Sequence, residues 1–166
     1  MANDVFRAID AALVIGVDDT SSPEGAAADG LVSQYDLSNA VGRLRNVQVT
    51  VTSDVKPFYE IGRRYPTHLR PGVVRIAGTA DRAHVNGALL RLLLGDGAVS
   101  PPAAPNFVQP SFNIITSLTN PAKPDQFTRV TIFGVKFDTW SYSVPADEFV
   151  MEGVKFQAMR IAFEES

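Results

Sequence analysis

The sequence predicts a mainly β fold, a sandwich or open barrel of antiparallel strands carrying one packed α-helix. Two patterns point to it. Apolar residues recur at every second position in several segments between Leu44 and Phe163, and one apolar stripe at helical spacing stands among them. Proline and glycine clusters punctuate the segments, as turns between strands require.

The first clear strand begins near Leu44, where Val47, Val49 and Val51 alternate with Gln48, Thr50 and Thr52. That alternation gives one apolar and one wet face. A second strand, Val73 to Ala80, opens after Pro71-Gly72. The third runs from Phe107 to Leu118, with Pro110 restricting its first part to an edge or bend. Thr128 to Thr139 is the fourth, expected to carry Phe133, Val135 and Phe137 on one face. Phe149 to Phe163 is a long fifth strand, whose shifting apolar phase predicts a bulge at Gly153. Between the second and third lies the helix. Asp81 is its expected N-cap, Val85, Ala88, Leu89, Leu92 and Leu93 form its apolar stripe, and Gly95 is its left-handed stop. Ala11 to Val17 reads equally as a strand or a helix end. Residues 18–30, small, polar and glycine-rich, read as an exposed loop.

At 166 residues, with 45% hydrophobic and 20% charged residues, the chain fits one ordinary globular domain. A net charge of −3 argues against a surface built to grip nucleic acid. With no cysteine there is no disulfide framework, thiol nucleophile or thiolate metal site. The longest apolar runs, Ala11 to Val17 and the Arg91-interrupted Ala88 to Leu94, fall short of the roughly 20 residues a spanning helix needs. The N-terminus lacks a basic leader. The expectation is a protein assembled in cytoplasm, without membrane insertion.

No catalytic constellation stands out, and the chain is expected not to be an enzyme and to need no cofactor or metal. His68 and His84 lack the spacing of a helical metal pair. Asp81 and His84, three apart, read better as a cap beside an exposed histidine than as an acid–base or metal pair. Asp18 and Asp19 lack the oxygen spacing of a calcium loop and read as a solvated turn. The aromatics of the late strands read as core before they read as a base-stacking platform.

Lys56 to Arg70 is the segment with a functional character. About fifteen residues is long for a hairpin connection. It mixes Phe58, Tyr59 and Tyr65 with Arg63, Arg64 and Arg70, and Glu60 supplies the opposite charge. Aromatics and arginine are the types enriched at protein interfaces. Phe58, Tyr59, Glu60, Arg63, Arg64 and Tyr65 are therefore expected at a protein interface, the plainer reading being a basic surface loop packed by its own rings.

The chain from near Tyr35 onward resembles the tail tube proteins of long-tailed bacteriophages and related contractile injection particles. The resemblance is carried by Thr52-Ser53-Asp54, Tyr59-Glu60-Ile61-Gly62-Arg63-Arg64, Val74 to Ala80 and Asn86 to Leu93. It continues through Phe133 to Phe137, Ser141 to Pro145 and Glu148 to Ala158. It divides the chain into an N-terminal arm and flexible loop, 1–34, and a tube β domain, 35–166. It implies hexameric rings with a continuous inner β-barrel, stacked into a virion tail tube that conducts DNA during ejection. Partners would be further copies of the chain, a tape measure protein and then genomic DNA in the lumen, and a sheath outside. A baseplate and a tail terminator would stand at the ends, with assembly in a bacterial or archaeal host cytoplasm. A conduit that held its cargo by many cations would slow its passage, so a neutral to acidic lumen is expected. Gln48, Thr50 and Thr52, facing away from the valines, are the candidates for its lining. The alternatives are the inner tube of a DNA-free contractile injection particle and, in another class, a monomeric β-sandwich module binding a carbohydrate or peptide.

Overall fold

A computed structural model describes residues 5–39, 44–100 and 108–165. Among the described residues nine strands and two α-helices follow in the order β1 (Ala11–Gly16), α1 (Pro23–Tyr35), β2 (Leu44–Ser53), β3 (Lys56–Phe58), β4 (His68–Arg70), β5 (Val74–Ala83), α2 (Ala88–Leu94), β6 (Phe112–Asn120), β7 (Lys123–Ser143), β8 (Met151–Ala158) and β9 (Arg160–Glu165). β3 and β4 pair only with each other; the remaining seven strands form an antiparallel sheet in the order β1-β6-β7-β8-β5-β2, with β9 on β7.

The 21-residue β7 organises everything else. Its first part, as far as Val135, pairs with β6 and β9, whereas Lys136 to Ser143 pairs with β8. β7 thus belongs to two half-sheets, one of β1, β6, β7 and β9, the other of β7, β8, β5 and β2. The switch sits at Gly134, whose φ of 64° lies in the left-handed region that glycine alone enters cheaply. The β6–β7 register slips there, because Phe112 faces Val135 while Ile114 faces Ile132. One extra residue reverses the alternation. The expectation that Phe133 shares a face with Val135 and Phe137 is therefore corrected: Ile132, Val135 and Phe137 are buried, and Phe133 lies half-buried under the Arg160 guanidinium, 4.1 Å from its ring centroid.

The long fifth strand expected from Phe149 to Phe163 is also corrected. It divides at Met159 into β8 and β9, and the Met159 N–H donates to the Phe133 carbonyl at 3.0 Å. Because the partner strand changes half-sheet at Gly134, the chain returning alongside must break at the same level. Gly153 is not a bulge, since Asp81 faces it in unbroken register. Its glycine has a different cause: a Cβ there would sit 2.6 Å from Asp81 Oδ1.

One core fills the space between the half-sheets and the helices. Phe112 and Phe137 meet edge to face at 4.9 Å, and Phe156, Val154 and Ile76 join them from the second half-sheet. Ala88, Leu89 and Leu92 of α2 enter this core, as their helical spacing predicts. The cap does not match expectation. Asp81 lies within β5, α2 starts after Gly87, and Asn86 Oδ1 accepts from the Ala88 N–H at 3.1 Å. Val85 precedes the helix and is exposed. Gly95, with φ 60°, ends it as expected.

Residues 18–30 are not the exposed loop that their composition suggests. From Pro23 onward they form α1. The Ser22 side chain accepts from the Gly25 N–H at 3.1 Å, Pro23 occupies the first turn, and Asp36 closes the helix in a left-handed conformation. Ala28, Leu31 and Val32 reach the common core from it. β1 resolves the strand-or-helix ambiguity of Ala11 to Val17 by pairing along β6 from Ala11↔Leu118 to Gly16↔Asn113. A boundary at residue 34 would fall one residue before the end of α1.

Candidate assembly surfaces

The second half-sheet has two faces of opposite character. On the inner one, Arg82↔Glu152, Ala80↔Val154 and Gly78↔Phe156 stack toward the core. On the outer one, Gln48 faces Thr79, Thr50 faces Ala77, and Thr52 faces Arg75 across β2 and β5. Gln48, Thr50 and Thr52 are all exposed, on the side away from Val47 and Val49, as the alternation predicts. Gln48 and Thr50, with Arg75, Lys155 and Gln157, border a depression of about 800 Å³. The charged residues of this face are Arg45, Arg75, Lys136 and Lys155 against Asp81 and Asp138, the last accepting from Gln157 Nε2 at 3.1 Å. The face is mixed with a small basic excess, not acidic.

The half-sheet also has two edges with no strand on their outer side among the described residues. One is β2 from Leu44 to Ser53. The other is Lys136 to Ser143 of β7, which β6 leaves when it ends at Phe112. Gln109 reaches over the start of the second edge, its Nε2 donating to the Phe137 carbonyl. Free edges of this length are pairing surfaces unless something covers them.

Between β2 and β5 the chain runs out as an arm. Lys56↔Arg70, Pro57↔Leu69 and Phe58↔His68 form its ladder, and the Asp54 N–H donates to the Val73 carbonyl at its base. The six residues predicted for contact all lie on it. Phe58 ends β3, and Tyr59, Glu60, Arg63, Arg64 and Tyr65 form the tip, all exposed. Glu60 shapes that tip: its carbonyl accepts the Arg63 N–H at 3.1 Å and its carboxylate accepts Thr67 Oγ1 at 3.4 Å. Ile61, fully exposed, and Leu69 add to the apolar surface. Among the described residues nothing covers these rings, which leaves the arm with an exposed apolar and aromatic surface.

A buried polar cluster, not foreseen from the sequence, anchors the opposite end of the half-sheet. Glu152 accepts Arg82 Nε on one oxygen and Trp140 Nε1 at 3.0 Å on the other, and His84 Nδ1 stands 3.2 Å from the latter. Arg82 Nη2 donates to Asn86 Oδ1 at 3.0 Å. Opposite charges at facing positions of β5 and β8 were the available signal, but only register reveals that they face each other. His84 thus serves Glu152 and not Asp81, which points to the outer face. Asp19 closes the turn before α1, its carboxylate accepting from the Ser21 N–H at 3.0 Å and from the Ser21 hydroxyl. Those bonds hold its carboxyl below the usual aspartate range. Among the described residues no group of three or more acidic, histidine or cysteine side chains could hold a metal ion, and no helix is long and apolar enough to cross a membrane.

This architecture recurs in solved structures. A chain of the SPP1 tail tube superposes with a TM-score of 0.59 at 11% identity, over 98% of this chain and 80% of that one. The fold is the tail-tube fold. A chain of the sheath–tube complex of PVC, an extracellular contractile injection system, gives a TM-score of 0.64 at 11% identity, covering 99% and 94% of the two chains. The tube-terminating cap of the anti-feeding prophage gives 0.65 at 10% identity, covering 100% and 95%. No family model matches the chain, and no curated protein matches it in sequence. Sequence identity this low carries the likeness in backbone alone, which places the free edges and the arm on a tube fold without naming their partners.

Proposed function

We propose that this chain is a structural subunit that polymerises into a tail tube, without catalytic activity. The observation that carries the reading is the second half-sheet: four antiparallel strands, an apolar inner face, a polar outer face and two unpaired edges. β2 and β8 run in the same direction and β5 and β7 in the other. An even strand count lets β2 of one copy meet β7 of the next antiparallel, with no edge left over once a ring closes. Six copies, the number the resemblance implies, would give a barrel of about 24 strands, a size that encloses an open channel. The polar face would line it, with Gln48, Thr50 and Thr52 toward the lumen.

A lining of mixed charge with few excess cations suits a conduit, because cargo neutralised by few cations is not retained. Phe58, Tyr59, Glu60, Arg63, Arg64 and Tyr65 would serve contacts between copies. Tape measure protein and then DNA would occupy the lumen of a phage tail, with sheath, baseplate and terminator as outer and end partners. Assembly would take place in the cytoplasm of the host. Negative-stain electron microscopy of the purified protein, with sedimentation, tests the reading. Hollow tubes or stacked rings are expected without any ligand. A compact monomer at every concentration, with the arm intact, would count against it.

A further inference from the structure

We infer that the arm of one copy docks on the turn between β7 and β8 of the next copy along the tube axis. The inference rests on the tube reading and names the surface that receives the arm.

Strand register sets the two features at opposite poles of one half-sheet. At the arm end Ser53 faces Val74; at the other end Leu44 faces Arg82, and Met151 faces both Ala83 and Ser143. A ten-residue strand spans about 33 Å. The arm of a copy therefore points away from its own Ser143–Met151 turn, and contact between the two needs a second molecule.

Both poles expose apolar surface that no described residue covers. On the arm, Tyr59 is 60% exposed and Ile61 fully so; on the turn, Val144 is 63% and Phe149 82% exposed. The receiving surface is built, not loose. The His84 N–H donates to the Val150 carbonyl at 2.8 Å, and the His84 ring stands edge-on to Tyr142 at 5.4 Å. Tyr142 stacks on Trp140 at 5.5 Å, and Trp140 is held by Glu152. A surface ordered before contact loses little entropy on contact.

The charges are complementary. Arg63, Arg64 and Arg70 outweigh Glu60 on the arm, where Lys56 is paired with Asp54 at 3.2 Å. Asp147 and Glu148 are exposed on the turn, with Asp81 and Arg45 on the adjoining outer face. Opposite signs at opposite poles favour head-to-tail stacking and penalise both head-to-head and tail-to-tail contact. A contact between two different surfaces of identical subunits does not close on itself when it runs along an axis, so it repeats indefinitely.

The chain contains no cysteine, so Ile61→Cys with Phe149→Cys, or Tyr59→Cys with Val144→Cys, introduces one thiol pair and nothing else. Oxidation under polymerising conditions is expected to yield an open ladder of covalent oligomers on a non-reducing gel, with single variants stopping at dimers. Separately, R63E/R64E and D147R/E148R are each expected to raise the critical concentration for tube formation at least about tenfold, from like charges brought together. Combining all four reversals is expected to restore it to within about threefold, with circular dichroism confirming the fold in each case. A ladder that ends at ring size would overturn the inference by placing the arm on a lateral neighbour. Normal tubes from D147R/E148R, with R63E/R64E defective, would also overturn it while leaving the tube reading intact. Failure of the unaltered protein to form tubes or rings at all would overturn both.

Discussion

Substituting Glu152 by alanine removes the acceptor shared by Arg82 and Trp140 and the carboxylate beside His84. Both Arg82 and Glu152 are 2% exposed, so water cannot take the place of the lost carboxylate. Arg82 keeps its hydrogen bonds to Asn86 but loses its counter-charge. A buried ion left in this way costs about 3–5 kcal/mol. In a domain of this length each kcal/mol lowers Tm by about 2–4 °C, so a fall of roughly 6–20 °C is expected. Trp140, the single tryptophan, sits in the cluster and reports its unfolding by fluorescence in thermal and denaturant titrations. E152Q, which keeps an acceptor without the charge, is expected to fall between wild type and alanine. R82M/E152L removes both charges at similar volume and is expected near wild-type stability or above it. Loss of less than about 1 kcal/mol in E152A would refute the argument. So would an R82M/E152L variant as unstable as the single one, since the cost would then not come from an orphaned charge.

Four further outcomes follow from the same geometry. Leu92, with no exposed surface at the centre of α2, is expected to cost about 2–5 kcal/mol on replacement by alanine, measured by denaturant unfolding. Gly134→Ala forces a left-handed residue and sets a Cβ 2.9 Å from Met159 Cγ and Sδ; a loss of about 1–3 kcal/mol is expected in the same assay. Tyr59→Ala with Arg63→Ala is expected to leave Tm unchanged while abolishing tubes in the electron microscope, since both side chains are exposed. Asp19 has a lowered folded-state pKa, so its contribution is present above the ordinary aspartate pKa and lost as pH falls through the folded value. The stability difference between wild type and Asp19→Ala is therefore expected at neutral pH and to vanish in acid, read from Tm against pH.

Much of the β framework was legible in the chain because alternation is a local property. β2, β5 and the core stripe of α2 sit where the valines and leucines place them. Gln48, Thr50 and Thr52 face outward because period-2 geometry leaves them no other side. The arm was legible too, since fifteen residues rich in aromatics and arginine cannot be a tight turn. α1 was missed for want of large apolar residues. Its core face uses Gly25, Ala28, Leu31 and Val32, and the signal that marks it is Ser22-Pro23, a cap followed by a first-turn proline.

What the sequence by itself determined is the mainly β composition, the wet and dry faces of β2 and β5, the helical stripe of α2 and the exposed character of the arm. Each depends on neighbours a few residues apart. The tertiary structure decided where β7 changes half-sheet, which residue of Phe133, Val135 and Phe137 leaves the core, and that Met159, not Gly153, breaks the returning strand. It also decided that Arg82 meets Glu152 across 70 residues and that the arm and the Ser143–Met151 turn stand at opposite poles. These depend on strand register. A slip of one residue reverses every side chain beyond it, and only a partner strand, absent from any local window of sequence, fixes where that slip occurs.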